Sequence, residues 1–200
     1  MISRFLFLSL FFSTISVFAV DPPGGLLRIA EGHKSNSYEV FISPSYVLSP
    51  SGAYMTSEFR YQNSEDFGTG FSFGAGEVGY NFGANATWFI SPDLPTQPGF
   101  SVTGGMYLNR LKGSSYFVTR ITPTVSKRMP VVWGNLVPYT GLHLAPSFRL
   151  GDPANEFSAK WAVGNQFSVK SMNGMNFWTE LDLALNNSVH ELVFGVSYPL

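Results

Sequence analysis

From position 38 onward, apolar residues alternate with small or polar ones. Tyr38, Val40, Ile42, Pro44, Tyr46 and Leu48 share one parity, and Glu39, Ser43 and Ser45 share the other. Successive side chains of an extended chain point to opposite faces, so this stretch predicts a strand with one wholly apolar face. Pro44 has no N–H to give to a ladder and marks an edge-like or bulged spot. In 53–62, Met55, Phe59 and Tyr61 oppose Glu58 and Arg60; in 67–76, Phe67, Phe71 and Phe73 oppose glycines and Ser72. Residues 78–90 alternate most cleanly, with Val78, Tyr80, Phe82, Ala84, Ala86, Trp88 and Ile90 against Gly79, Asn81, Gly83, Asn85 and Thr87.

The segments 100–110 and 115–127 are weaker but rich in Val, Thr, Tyr and Ile, residues that suit a pleated surface. Two prolines within 136–149 predict a bent or irregular stretch. Alternation returns in 157–169, where Ser158, Lys160, Gly164, Gln166 and Ser168 share a face, and in 177–185, where Trp178, Glu180 and Asp182 do. A last strand occupies 190–200. No segment sustains a 3.6-residue period. Residues 67–90 read either as a hairpin turning at 75–77 or as one long bent strand, which leaves the strand number between eight and ten.

The non-apolar face is small and nearly uncharged, unlike the Lys- and Glu-rich surface of a soluble sheet. Charged residues make up 12% of the chain, against about 25% in soluble domains. Aromatics reach 16%, with 19 Phe and 9 Tyr, while mean hydropathy is only +0.09. Such a surface is sticky in water but suits a sheet with lipid on one side and a small polar interior on the other. A sheet that spans lipid must close, because an open edge leaves backbone groups unpaired in hydrocarbon. The polar residues Glu58, Arg60, Glu77, Asn81, Asn85, Lys160, Glu180 and Asp182 are then expected to face a lumen, where each charge needs a partner.

The two ends agree. Residues 1–19 carry one early charge, Arg4, then an apolar block and Val17-Phe18-Ala19, which is the layout of a cleaved secretory signal peptide. Residues 20–36 read as an irregular periplasmic arm and 37–200 as the barrel. In the final segment, Leu192, Phe194, Val196, Tyr198 and Leu200 form an apolar face running to the carboxyl terminus. This resembles the C-terminal strand of bacterial outer-membrane β-barrel proteins, the small OmpA-, OmpX- and OmpW-like porin-type barrels, although those usually end in Phe. The resemblance covers 38–200 at the level of pattern. It implies an all-β fold, a transmembrane antiparallel up-and-down β-barrel of even strand number, eight to ten. It implies residence in the bacterial cell outer membrane, with outer-membrane lipids as surroundings and periplasmic chaperones and the barrel-assembly machinery as partners during biogenesis. Counting back from a periplasmic C-terminus puts the longer connections, 91–99 and 127–135, on the periplasmic side, the reverse of the usual arrangement.

Little in the sequence suggests chemistry. His33, His143 and His190 sit at no ligand spacing to one another and there is no Cys, so no metal or cofactor is expected. The glycine-rich GFSFGAGEVG lacks a phosphate-loop Lys and its strand–helix context. A net charge of −1 without a basic stripe argues against nucleic acid. Ser188, His190 and Glu191 superficially echo the Ser–His–acid arrangement of lipid-A-modifying barrels. However, Glu191 has the wrong parity to orient His190, and such a triad is defined by geometry. The reading that results is a small non-enzymatic outer-membrane barrel, structural or a narrow pore for ions and small solutes. The alternatives are a secreted soluble β-barrel or sandwich that binds a ligand, and an outer-membrane lipid-A-modifying enzyme.

Overall fold

The computed structural model describes residue 29 and residues 35–48, 51–111, 113–151, 155–172 and 174–200. The expected signal peptide, and the expected arm apart from residues 29, 35 and 36, lie outside them. The chain forms β1 (Ser37–Leu48), β2 (Ser51–Gln62), β3 (Phe67–Gly76), β4 (Gly79–Ser91), β5 (Gly99–Leu111) and β6 (Ser114–Ser126). The short β7 (Met129–Val131), β8 (Gly134–Arg149), β9 (Asn155–Val169), β10 (Asn176–Asn186) and β11 (Glu191–Pro199) complete it. Each strand pairs antiparallel with the next except β6 with β7; β6 pairs instead with β8, and β1 pairs with β11. The result is a closed up-and-down barrel of ten strands, with β7 a small flap on the edge of β8.

The choice between eight and ten strands is settled at residues 67–90. They are two strands, β3 and β4, in register from Phe67↔Trp88 to Gly76↔Gly79, joined by Glu77 and Val78. The stretch expected to be bent around its prolines is instead one continuous strand, β8. The cost of its prolines falls on one ladder only. Pairing of β8 to β9 is unbroken, whereas pairing to β6 is interrupted beside Pro146, where the Thr119 hydroxyl donates to the Pro146 carbonyl at 3.4 Å. Pro44 behaves alike: β1 pairs continuously with β2, but its seam with β11 skips Ser43 and Pro44. A proline can turn its missing N–H to only one neighbour.

Strand length matches a bilayer. Twelve residues in β1 extend about 40 Å, and a tilt of about 40° lowers this to about 30 Å, enough for an apolar band of about 25 Å. The outward parity carries that band. Ile42, Phe59, Phe71, Phe73, Phe82, Met106, Ile121, Leu142, Val163, Leu181 and Phe194 are all exposed, Met106 at 62% and Ile121 at 55%. Aromatic pairs gather toward the end that holds both termini: Tyr38 stacks on Tyr61 at 4.8 Å and Phe67 meets Trp88 at 5.3 Å. Trp161 stands inside the band, and its indole N–H is satisfied by Thr140 Oγ1 at 2.7 Å.

The connections at the two ends differ. At the end away from the termini, β1–β2, β3–β4 and β5–β6 are each joined by two residues. The terminal end carries the longer links, residues 92–98 and 127–133. These two are pinned together: Lys127 Nζ meets Asp93 Oδ1 at 2.8 Å and the Gln97 carbonyl at 3.1 Å, and the Arg128 amide donates to Asp93 Oδ2.

Candidate functional site: a filled, charged lumen

The inward parity of the strands builds two layers. Toward the terminal end the layer is aromatic. Trp178 from β10 meets Phe41 of β1 at 5.0 Å and Tyr139 of β8 at 5.7 Å. Val137, Ala162, Val193 and Ile29 complete the cluster. Ile29, which precedes β1 in the chain, lies inside the barrel. Trp178 donates its indole N–H to Ser197 Oγ at 3.3 Å. The Arg60 guanidinium lies over the Phe41 ring at 3.9 Å. Its Nε and Nη2 each reach a different Glu58 oxygen at 3.0 Å, a two-point geometry that fixes both side chains. Asn85 donates to the same Glu58 carboxylate at 3.0 Å, and Glu39 stands 3.9 Å from Arg60.

The second layer, above the aromatic one, is ionic. Lys160 of β9 approaches Asp182 of β10 at 2.6 Å and Glu191 of β11 at 3.7 Å, and all three side chains are 0% exposed. His143 of β8 is buried beside them, with its Nδ1 3.1 Å from Thr122 Oγ1 of β6. Arg120 of β6 lies over the Tyr107 ring at 4.7 Å. The glycines opposite make room for inward rings: a methyl group on Gly164 would collide with the Tyr139 ring and the Thr179 carbonyl.

Of the residues expected to line the lumen, Arg60, Asn81, Lys160, Glu180 and Asp182 are buried inside, and Glu58 and Asn85 join them at Arg60. Glu77 is placed differently. It occupies the β3–β4 turn, exposed at the rim, where Oε2 accepts the Ala53 amide at 3.0 Å. It left the lumen because the hairpin turns at 77–78, so it never enters a strand. The lumen also holds Arg120, His143 and Glu191, which the expected set lacks. Leu192, Phe194, Val196, Tyr198 and Leu200 all lie on the outward face of β11 or just past its end; Phe194 is 50% exposed. The Ser188–His190–Glu191 trio is dispersed. Ser188 is buried in the β10–β11 link, His190 Nδ1 accepts the Ala184 amide at 3.2 Å, and Glu191 points inward to Lys160.

The fold is a closed antiparallel β-barrel with large apolar side chains exposed on its outer face and a cluster of buried charged side chains inside. No protein-family model matches the sequence, and no curated protein is similar to it. Among solved structures, the chain is similar to a designed transmembrane β-barrel, with 11% identity over 84% of this chain and 99% of that one (TM-score 0.44). It is similar to the β domain of the Bordetella autotransporter BrkA, with 9% identity over 82% and 98% (TM-score 0.45). It is also similar to an outer-membrane channel of Pseudomonas putida F1, with 8% identity over 90% and 100% (TM-score 0.47).

Proposed function

We propose that this chain is a small integral β-barrel of a Gram-negative outer membrane, exported by its N-terminal signal. Its role is structural and non-enzymatic, with no wide solute path. The carrying observation is the belt of exposed Ile, Leu, Met and Phe around a closed sheet, far larger than the apolar patches soluble monomers carry. A soluble ligand-binding barrel would put that face inside. The filled lumen favours a structural part over a pore, since Trp178, Phe41, Lys160, Glu180 and Glu191 are among the largest fully buried side chains. The outward face of β11 is the segment offered to the assembly machinery.

The test is fractionation followed by a heat-modifiability gel and planar-bilayer recording. The expected outcome is outer-membrane residence, a mobility shift on boiling in SDS, and no steady conductance. The double substitution Phe41→Ala, Trp178→Ala is expected to open a steady current by emptying the aromatic layer. A chain released by osmotic shock without detergent would sink the membrane reading. A steady open channel in the wild type would replace the structural role with a pore.

A further inference from the structure

We propose that the ionic layer holds one divalent first-row transition-metal cation, ligated by His143, Glu180 and Asp182. One ligand atom from each lies within 4.8 Å of the others, and all three residues are buried. Ligand atoms about 2.0–2.2 Å from one ion lie a little over 3 Å apart, so small rotamer shifts close the set. Two of the three point to a ligand by themselves. His143 Nε2 is buried without a hydrogen-bond partner, and so is Asp182 Oδ1, since Lys160 approaches Asp182 through Oδ2. The Thr122 contact at Nδ1 fixes the imidazole ring. With Nδ1–H donating to that hydroxyl, the lone pair of Nε2 stays available to a metal.

One imidazole with two carboxylates suits Zn, Mn, Fe or Ni, while Ca and Mg prefer all-oxygen shells. The sequence hid this site because His143 and the two acids lie far apart in the chain. They meet only where β8, β9 and β10 lie side by side with all three residues inward.

The experiment refolds the untagged full-length chain into detergent with Co(II) or Zn(II) present, so that no entry path is needed, and then removes free metal by dialysis. The expected result is one metal per heat-modifiable barrel, a Co(II) d–d spectrum, and at least a tenfold loss of affinity in His143→Gln and in Asp182→Asn. A folded wild type that retains no stoichiometric metal overturns the proposal, as does a folded His143→Gln that binds like wild type. If both variants fail to fold, X-ray absorption at the zinc edge of the wild type decides. One imidazole in the shell supports the site, and an all-oxygen shell overturns it. None of these readouts depends on where the barrel resides.

Discussion

A lysine with no solvent around it must be answered by its neighbours, and Lys160 shows the cost of building a lumen from charge. Its ammonium is held by Asp182 and Glu191. Removing one member of a buried ion pair strands the other and typically costs about 3–5 kcal/mol. Lys160→Met is therefore expected to lower the unfolding free energy by about that much, read as a shift in the urea midpoint of the detergent-folded barrel. Gly164→Ala tests packing against the same wall. The added methyl meets the Tyr139 ring and the Thr179 carbonyl, and overpacking of this kind costs about 1–3 kcal/mol. Its midpoint should fall, while Gly113→Ala leaves space around the new methyl and acts only through its φ of 85°.

At this scale the sequence told part of the story. Lys160 and Asp182 were legible as inward because apolar residues flank them on the other parity. Arg120 and His143 were not, because their strands also send Tyr116, Val118, Val137, Tyr139 and Ala145 inward. When both faces of a strand are apolar, alternation loses its contrast.

The strands themselves carry the membrane argument, and β11 states it most directly. Phe194 lies midway along its outward row, so in the proposed membrane setting a charge there enters hydrocarbon. Phe194→Arg is expected to destabilise the folded barrel by about 2–4 kcal/mol in lipid vesicles, whereas the inward Ser197→Ala should cost much less. An equal response of the two variants would mean that the outward face does not meet lipid. Strand existence was readable nearly everywhere, but the β3–β4 corner was not. Its two turn residues are Glu77 and Val78, and neither carries the Asn-Gly or Asp-Gly signature of a tight hairpin. The prolines of β8 misled for a different reason. A barrel strand has two ladders, and a proline gives up a bond in only one of them.

For the molecule as a whole, the unequal ends make orientation a question with a clean answer. If the termini face the periplasm, the pinned longer links 92–98 and 127–133 face it too, and cells present only short turns outward. The chain contains no Cys, so single replacements report without background. A membrane-impermeant maleimide on intact cells is expected to label Ser51→Cys, at the short-turn end, and to spare Thr96→Cys. The reverse pattern would invert the barrel.

The seam between β1 and β11 has a further consequence. It runs from Glu39↔Pro199 to Val47↔Glu191, so the seam joins the first strand of the sheet to the last. Contacts so distant in sequence make folding slow. They also make it a test of completeness: a polypeptide cut short by a single strand has no partner for β1. It keeps two raw edges that hydrocarbon cannot tolerate. If the barrel spans a membrane as proposed, closure therefore acts as a check on chain integrity, because a polypeptide lacking β11 leaves both β1 and β10 with an unpaired edge.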